Sequence, residues 1–429
     1  MGGAPTVGGA PTVSQPTNES GTSSPSFQPT NPFDWQQKGA DINGEAAADN
    51  SGWSISLSSN GTIIAIGAPL NDGTDSEAGH VRVYEWNAGT SDWDQLGDDI
   101  DGEAWNNQSG KSVSLSSDGI TLAIGSPGIG SGHVRVYQWN SGTTSWDQMG
   151  TDLDGEAPSD QSGYSVSLSS DGTVLAIGAP YNDGNGSDSG HVRVYEWDGS
   201  SWVQMGADID GEAASDYSGW SVSLSSDGNM VAIGAIYNDG NGTSSGHVCV
   251  YEWDTVTSDW VQKGADIDGE AAGDYSGWSV SLSSGADGTV LAIGATYNGG
   301  NGTESGHVRV YEWNSTAWQQ RGSDIDGEAA DDSSGCSVSL SSDGNMVAIG
   351  AYYNDGNGTW SGHGRVYEWN AGTTSWVQKG SDIDGEAGYD NSGWSVSLTS
   401  DGTVVAIGAN GNDEAGSNSG HVRVYKFTN

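Results

Sequence analysis

The chain has 429 residues and a formal net charge of −45, from 12 lysines and arginines against 57 aspartates and glutamates. This charge excludes nucleic acids and anionic membrane surfaces as default partners, because both would be repelled. No apolar run approaches the ~20 residues that a membrane-spanning helix needs, so membrane insertion is not expected. The 69 glycines and 19 tryptophans favour an all-β, turn-rich protein.

The first 32 residues differ in composition from the rest. They repeat Gly-Gly-Ala-Pro-Thr-Val in tandem and are then dominated by serine, threonine, proline and glutamine. Such a composition cannot bury a core, which predicts a disordered stalk or linker over residues 1–32. The stretch has neither the basic nor the apolar segment of a signal peptide. One domain is predicted over residues 33–429.

Two motifs recur seven times in that domain. The first is Ser-Gly-x-Ser-[Val/Ile]-Ser-Leu, whose glycines are spaced 58, 53, 56, 58, 58 and 58 residues apart. The second, Gly-His-x-x-Val-Tyr, contains every histidine of the chain: His80, His133, His191, His247, His307, His363 and His421. An unbroken period of this length indicates a repeat architecture. It also disfavours an enzyme, because each candidate acid–base histidine is a repeated position rather than part of a singular site.

One repeat illustrates the predicted elements in chain order. Residues 220–225 alternate apolar and small polar side chains, as a half-buried strand does, and Ser-Asp-Gly follows as a tight turn. Further strands are predicted at 230–235, 247–253 and 260–264, before an acidic connector to the next repeat. Four short strands form one antiparallel blade, and seven blades form a seven-bladed β-propeller. The alternative, a β-solenoid, usually has much shorter coils.

The two ends of the domain predict how the ring closes. The last repeat stops at residue 427 without a fourth strand, whereas 35–39 (Trp-Gln-Gln-Lys-Gly) match the fourth strand at 318–322 (Trp-Gln-Gln-Arg-Gly). An N-terminal strand that completes the last blade would remove its exposed edge. The expected product is a closed, monomeric propeller.

Charge is predicted to concentrate on one face. The connectors between blades contain 28 acidic residues and the loops between second and third strands contain ten more, whereas no lysine or arginine occurs in either set. Both sets lie at the same end of a four-stranded meander, so the propeller should have one strongly anionic face.

Each connector reads Asp-x-[Asp/Asn]-Gly-Glu-x-x-x-[Asp/Asn], a pattern that favours either of two structures. Alternating carboxylates before a turn glycine can converge on Ca²⁺, which takes six to eight oxygen ligands; alternatively, they form Asx-type turns that bond backbone N–H groups. No cofactor is required, and Ca²⁺ is the candidate cation. The candidate ligands are Asp152, Asp154, Glu156, Asp160, Asp208, Asp210, Glu212, Asp216, Asp266, Asp268, Glu270 and Asp274.

Repetition also shapes the interpretation of the other conspicuous side chains. The histidines are predicted to be neutral rings that hydrogen bond to a neighbouring blade or loop. Five aromatic residues of the first motif are predicted to lie in the core between blades, with a sugar-binding platform as the alternative: Trp53, Tyr164, Trp220, Trp278 and Trp394. Cys249 and Cys336 occur in the fourth and sixth repeats, so a disulfide between them is not expected.

Three motifs carry a family resemblance: Ser-Gly-Trp-Ser-Val-Ser-Leu, Ala-Ile-Gly-Ala-Pro and Gly-His-Val-Arg-Val-Tyr. Their combination resembles the FG-GAP repeat, the blade of the integrin α-subunit propeller and of related surface proteins. Two departures matter. Serine replaces the phenylalanine before the first glycine, and Ser-Ser-Asp-Gly replaces the family's longer calcium loop between strands 1 and 2. The family's calcium sites are therefore not expected at Asp118, Asp171 or Asp227.

The resemblance and the anionic face predict a non-enzymatic, adhesion-type protein of the extracellular space or cell surface that binds a protein or glycan. The alternative is a multivalent, lectin-like propeller; a propeller hydrolase or lyase is disfavoured. Asn-x-Ser/Thr sequons provide candidate glycosylation sites at Asn18, Asn60, Asn107, Asn185, Asn241, Asn301, Asn314 and Asn357.

Overall fold

The computed structural model describes residues 33–283 and 290–428. Over these residues the chain forms seven antiparallel sheets and contains no helix. Each sheet has four strands and a short fifth segment; the four strands follow one another in sequence in six sheets, and the seventh takes its outer strand from the N-terminus. Accordingly, no described helix has the length and apolar character to cross a membrane. The sheets confirm the prediction of a seven-bladed, all-β propeller. The linker predicted over residues 1–32 lies outside the described residues.

Each blade, numbered 1 to 7 along the chain, uses the repeat in the same way. The innermost strands are Ser54–Leu57, Ser112–Leu115, Ser165–Leu168, Ser218–Leu224, Ser279–Leu282, Ser337–Leu340 and Ser392–Leu398. The second strands are Ile63–Ala68, Thr121–Ser126, Val174–Ala179, Met230–Ala235, Val290–Ala295, Met346–Ala351 and Val404–Ala409. The third strands are His80–Asn87, His133–Asn140, His191–Trp197, His247–Asp254, His307–Trp313, His363–Asn370 and His421–Phe427.

The outer strands of blades 1 to 6 are Asp92–Gln95, Ser145–Gln148, Trp202–Gln204, Asp259–Gln262, Trp318–Gln320 and Ser375–Gln378. A two-residue segment of each connector also pairs with the third strand, a fifth element that the sequence did not predict. These segments are Ile42–Asn43, Ile100–Asp101, Leu153–Asp154, Ile209–Asp210, Ile267–Asp268, Ile325–Asp326 and Ile383–Asp384.

The N-terminal strand closes the ring as predicted. Trp35–Gln37 is the outer strand of blade 7, paired antiparallel with its third strand so that Trp35 lies opposite Phe427 and Gln37 opposite Tyr425. The first and last elements of the domain thus share one sheet, which rules out an open solenoid. The pairing also covers the edge that the last third strand would otherwise expose.

The two later serines of the first motif join neighbouring blades around the axis. The Oγ of Ser54 in blade 1 donates to the carbonyl of Gly110 in blade 2 at 2.8 Å, and Ser395 of blade 7 closes the circle by donating to Gly52 at 2.7 Å. The next serine accepts from a leucine N–H, as Ser56 does from Leu115 at 2.9 Å. The innermost strands lie close together. Small hydroxyl side chains fit between them and hydrogen bond to backbone groups that larger side chains would leave buried and unpaired.

The outer strands are joined by a second ring of hydrogen bonds. Each outer-strand tryptophan donates its indole N–H to a backbone carbonyl of the preceding blade, as Trp146 does to Leu96 at 2.9 Å and Trp260 to Met205 at 2.9 Å. Between these polar rings lies the apolar core, divided into clusters that each span two adjacent blades. Ile64 and Ile66 of blade 1, for example, pack with Val404 and Val424 of blade 7.

Candidate functional site

The connectors and the loops between second and third strands lie at one end of the propeller, here called the connector face. Backbone hydrogen bonds join them directly, from Gly102 N to Gly79 O at 2.7 Å and from Ala48 N to Ser417 O at 2.8 Å. The two segment types that hold most of the acidic residues are therefore neighbours in space. This arrangement agrees with the predicted anionic face.

The first aspartate of each candidate calcium connector contacts its own blade. The Oδ1 atoms of Asp152, Asp208 and Asp266 accept hydrogen bonds from the glutamine amide four residues earlier, at 2.7, 2.6 and 2.5 Å. These contacts hold the connector against the outer strand that precedes it.

The second aspartate lies in the short segment that pairs with the third strand. The backbone carbonyls of Asp154 and Asp268 accept from Arg193 and Arg309 of the next blade, at 2.6 and 2.7 Å. Partial burial raises the pKa of the Asp210 carboxyl, as does the neighbouring Asp208 to a smaller extent.

The connector glutamate faces the third strand of the next blade. Glu270 Oε1 lies 3.9 Å from Arg309 Nη1, whereas Glu156 and Glu212 lie beside the Nδ1 of a histidine, at 3.9 and 4.0 Å. The pKa values of Glu212 and Glu270 are raised, chiefly because burial disfavours the ionised carboxylate.

The last aspartate of the connector is buried and caps its own loop. Asp216 is only 4 % exposed, and its Oδ2 accepts from Ala213 N at 3.1 Å and from the Asn238 amide at 3.0 Å. Asp160 and Asp274 repeat these contacts. These bonds are the ones that the Asx-turn interpretation predicts.

The four carboxylates of one connector therefore take part in separate contacts. Potential metal donors that do lie within 4.8 Å of one another can come from different connectors, as in Glu156, His191 and Asp208. The turn interpretation accounts for the buried aspartates, whereas calcium binding by the remaining carboxylates stays a prediction.

The turns between first and second strands do not fit the calcium site of the resembling family. Asp171 Oδ1 accepts from Ser169 Oγ at 2.7 Å and from Thr173 N at 3.0 Å, so this oxygen is used within the turn. Asp118 and Asp227 make the equivalent contacts to Ser116 and Ser225, both at 2.6 Å.

Five of the repeated histidines are buried and held uncharged. Burial and an adjacent arginine lower the pKa to about 4 for His80, His191, His307, His363 and His421. One detail of the prediction was wrong: neither ring nitrogen of His191 or His363 makes a hydrogen bond. The nearest carboxylates, such as Glu328 at 3.9 Å from His363 Nδ1, lie too far away for one.

The variable residue of the first motif lines a cavity on the propeller axis. One residue from each blade contributes to this cavity of about 230 Å³, together with Tyr352. We call the seven residues the axial ring: Trp53, Lys111, Tyr164, Trp220, Trp278, Cys336 and Trp394. The prediction that its five aromatic members lie in the core between blades was wrong, because the innermost strands direct this position toward the axis.

Lys111 is the only cationic member of the axial ring. Its Nζ lies 4.1 Å from the ring centroid of Trp53 and 5.2 Å from that of Tyr164, within the range of cation–π attraction. Burial nevertheless lowers its pKa to about 8. The axial cavity therefore combines flat apolar surfaces with one amine that is easily deprotonated.

A second aromatic group lies on the connector face over blades 3 to 5. Five tyrosines follow one another with ring centroids 4.8 to 5.2 Å apart, and we call them the tyrosine arc: Tyr181, Tyr217, Tyr237, Tyr275 and Tyr297. A cleft of about 960 Å³ opens beside them, lined by Tyr237, Tyr275, Trp278 and Tyr297 among others. Trp278, 5.7 Å from Tyr297, connects the arc to the axial ring.

Blade 6 carries a third aromatic group on the same face, formed by Tyr353, Trp360 and Tyr389. Trp360 lies 5.0 Å from Tyr353 and 5.5 Å from Tyr389, and it is 44 % exposed. The sequence analysis missed these loop aromatics. Their signal was a tyrosine two positions after the second strand in blades 3 to 6, namely Tyr181, Tyr237, Tyr297 and Tyr353.

Four loop sequons use the atom that glycosylation would modify. The side-chain amide nitrogen of Asn241 donates to the carbonyls of Gly269 and Glu270, both at 2.9 Å. Equivalent pairs of bonds are made by Asn185, Asn301 and Asn357. These asparagines hold the loop of one blade against the following connector.

The two cysteines are free, as predicted. Cys336 belongs to the axial ring, whereas Cys249 occupies the third-strand position where the other six blades have arginine. Burial, and to a smaller extent the Asp266 carboxylate, raises the pKa of the Cys249 thiol.

Comparison with known proteins agrees with this architecture. The FG-GAP repeat family matches residues 151–195, 209–251 and 377–425. The chain is thus a seven-bladed β-propeller, and it contains FG-GAP repeats.

Solved structures extend the likeness of fold over most of the chain. A Bacteroides uniformis ATCC 8492 protein assigned as a 6-phosphogluconolactonase superposes with a TM-score of 0.54 at 13 % sequence identity, covering 78 % of this chain and 85 % of that one. At this identity the likeness shows the fold alone. No curated protein matches the chain.

Proposed function

We propose that the protein is a non-enzymatic, adhesion-type interaction propeller that works outside the cell or at its surface and binds a protein or glycan through the connector face. The observation that carries the proposal is the exposure of aromatic side chains among the acidic loops of that face. Tyr237, Trp360 and Tyr389 are 36 %, 44 % and 60 % exposed. Grouped aromatic residues of this kind are typical of binding surfaces, where they provide large contact areas.

The charge of the face supports a ligand that carries basic groups at its rim. Acidic loops surround the aromatic clusters, and their field would raise the rate at which a basic partner arrives. Because the Debye length is ~8 Å at physiological salt, this attraction should weaken as salt is added. For a ligand that itself carries acidic groups, Ca²⁺ is the candidate cation that would bind between the ligand and the acidic face.

A multivalent carbohydrate-binding propeller is the second candidate, and the tyrosine arc favours it. Tyrosine combines a flat apolar face with a polar hydroxyl, so it can both stack on a sugar ring and hydrogen bond to it. Its recurrence in consecutive blades offers several similar contact points along one chain, and linked weak contacts multiply into avidity.

A hydrolase or lyase is the least supported alternative. The lactonase assignment belongs to a protein that is 13 % identical to this chain. At such low identity a shared fold does not imply a shared activity. Five of the seven repeated histidines are buried and held neutral, and all seven occupy a repeated position rather than a singular catalytic arrangement.

The proposal is tested with the folded protein on a glycan array and on an array of basic and neutral peptides. The variant Trp360→Ala/Tyr389→Ala should lose most of the signal on the responding array. Val256→Ala is the matched control, because Val256 is 89 % exposed in a turn at the opposite end of blade 4 and should keep the signal.

The outcome on the two arrays separates the candidates. A glycan signal lost in the double variant supports the carbohydrate-binding form, and a salt-sensitive peptide signal supports a protein ligand. Equal signals from the double variant and the wild type would refute the use of the Trp360–Tyr389 group, and equal signals from Tyr237→Ala/Tyr275→Ala as well would refute the use of this face. Turnover of ester, lactone or glycoside substrates would revive the enzyme alternative, and fractionation of producing cells tests the proposed location.

A further inference from the structure

Blade 4 lacks an arginine that the other six blades use in the same way. That arginine reaches from the third strand to the preceding connector, as Arg193 does to the carbonyl of Asp154 at 2.6 Å and Arg365 to that of Asp326 at 3.0 Å. Cys249 occupies the position in blade 4, paired with Ile233 in the register of the strands and 4 % exposed. The shorter side chain leaves a thiol where the other blades hold a guanidinium.

The thiol is surrounded by potential metal donors. Cys249 Sγ lies 3.7 Å from His247 Nε2 and 3.2 Å from Asp266 Oδ1. Donor atoms of these three residues all lie within 4.8 Å of one another. On the far side of the imidazole, His247 Nδ1 lies 4.0 Å from Glu212 Oε2. The amide of Gln262 also contacts Asp266 Oδ1, at 2.5 Å.

The charge around this cluster differs from that in most other blades. The glutamate equivalent to Glu212 lies 3.6 to 3.9 Å from the repeat arginine in blades 1, 2, 5, 6 and 7. In blade 4 that guanidinium is missing, so the carboxylates of Glu212 and Asp266 face the cluster without it. A bound cation would replace the missing positive charge.

We propose that His247, Cys249 and Asp266 form a binding site for a borderline-soft divalent cation, with Zn²⁺ as its preferred occupant. Imidazole, thiolate and carboxylate are ligands that Zn²⁺ prefers, whereas Ca²⁺ takes oxygen ligands only. A tetrahedral zinc with bonds of ~2.3 Å to sulfur and ~2.0 Å to nitrogen would separate these two atoms by roughly 3.6 Å. The observed separation is 3.7 Å.

The surroundings suit such a site in two further respects. Glu212 Oε2 lies 4.0 Å from the ring nitrogen that would not bind the metal, which is beyond hydrogen-bond distance. A small movement of this half-exposed carboxylate would let it accept that N–H, the contact that usually orients a metal-bound histidine. The side chain of Glu212 is also 48 % exposed, so the cluster opens toward the connector face, where an ion can enter and water can complete the coordination. The site goes beyond the proposed binding function and does not depend on it.

The repeat itself provides the test variant. Cys249→Arg restores the residue that the other six blades carry, so the fold should be retained while the thiolate ligand and the excess negative charge are both removed. Zn²⁺ is titrated calorimetrically into the chelator-treated full chain in the presence of millimolar Ca²⁺. We expect one saturable site in the wild type and a loss of affinity in Cys249→Arg of more than about a hundredfold, since losing even an outer-shell partner costs ~10–100-fold.

Two further variants and a spectroscopic probe complete the experiment. Cys336→Ala should bind as the wild type does, and Glu212→Gln should bind more weakly but still bind. Co²⁺ in place of Zn²⁺ should give a thiolate charge-transfer band in the wild type that is absent from Cys249→Arg. If circular dichroism shows that Cys249→Arg is not folded, Cys249→Ser replaces it.

Three results would overturn the proposal. They are the absence of saturable Zn²⁺ binding in the wild type, unchanged affinity in the folded Cys249 variant, and displacement of Zn²⁺ by millimolar Ca²⁺. None of these results bears on whether the aromatic connector face binds a protein or glycan, so the two proposals can fail separately.

Discussion

The indole Nε1 of Trp35 donates a hydrogen bond to the backbone carbonyl of Lys379, 344 residues later in the chain, at 2.7 Å. On the other side of the same strand, Trp93 of blade 1 donates to the carbonyl of Lys38 at 2.8 Å. The N-terminal strand therefore both donates and accepts a hydrogen bond in the outer ring of tryptophan hydrogen bonds. Its contacts join blade 7 to blade 6 and to blade 1.

Removal of this strand should destabilise the whole propeller. Deletion of residues 1–39 would expose the edge of blade 7 and break the outer ring at two places, whereas deletion of residues 1–32 leaves both features intact. We expect a large fall in melting temperature for the longer deletion alone. Trp35→Ala, at a side chain that is 7 % exposed, should cost ~3–5 kcal/mol. Equal melting temperatures for the two deletions would contradict the closure argument.

Stability should depend steeply on pH in the weakly acidic range. Five histidines have a folded pKa of about 4 against an ordinary value of 6.5. Between these values the unfolded chain binds more protons, so the stabilisation is fully present above pH 6.5 and is lost as the pH falls toward 4. Each such histidine contributes a slope of ~1.4 kcal/mol per pH unit.

The raised pKa values of glutamates such as Glu45 and Glu270 act in the opposite direction. The histidine effect is therefore best measured between pH 5.5 and 6.5, by urea unfolding alongside NMR titration of the imidazoles. A flat free energy of unfolding over this range, or imidazole signals that titrate near pH 6.5, would show that the rings are not held neutral.

The amine of Lys111 should destabilise the folded protein at neutral pH. The pKa of Lys111 is about 8 in the folded protein, against an ordinary value of 10.5. The destabilisation is therefore complete below pH 8 and disappears as the pH rises toward 10.5. Lys111→Met should raise the free energy of unfolding at pH 7 by about 1–2 kcal/mol, after allowance for the cation–π contacts.

Urea unfolding of the wild type and of Lys111→Met at pH 7 and pH 9.5 tests this expectation, because the other titrating groups cancel in the difference. The advantage of the variant should shrink at the higher pH. A variant that is less stable than the wild type at pH 7 would mean that attraction to Trp53 and Tyr164 outweighs the cost of burial.

The connector carboxylates can be tested with the double substitution Asp208→Asn/Asp210→Asn. Because the buried Asp216 is already used within its loop, we expect the substitution to be neutral or slightly stabilising, and Ca²⁺ to act no better than Na⁺ at matched ionic strength. A connector that binds calcium would instead gain ~2.7 kcal/mol at a hundredfold excess over the dissociation constant. Saturable calcium binding in calorimetry, reduced in the double variant, would establish the calcium site.

Expression in a glycosylating host should separate six of the eight sequons into two groups. Asn185, Asn241, Asn301 and Asn357 donate their amide hydrogens to connector carbonyls and should remain unmodified once folded. Asn60 and Asn314 are exposed and accept hydrogen bonds through Oδ1. Peptide mapping should find any glycan at the second group; glycans at the loop sequons would show that modification precedes folding.

The sequence by itself determined the number of blades, the closing strand and the location of the acidic loops. Each of these follows from a pattern that is local to one repeat, and local strand and turn patterns survive in the fold because every blade repeats the same environment. The match between residues 35–39 and 318–322 sufficed to place the N-terminal strand beside the last third strand, and the structure adds the register, with Trp35 opposite Phe427. The structural role of the histidines was also predictable, since all seven are copies of one repeated position.

Only the tertiary structure decided what lies around the axis and above the blades. Trp53 and Trp394 are separated by almost the whole chain, yet their ring centroids lie 4.6 Å apart. Their exposure depends on how closely seven innermost strands approach one another, which no single repeat encodes. The tyrosine arc and the cluster around Cys249 likewise combine side chains from different connectors and strands. Such sites arise where individual repeats differ, and their chemistry is set by the neighbours that ring closure brings to them.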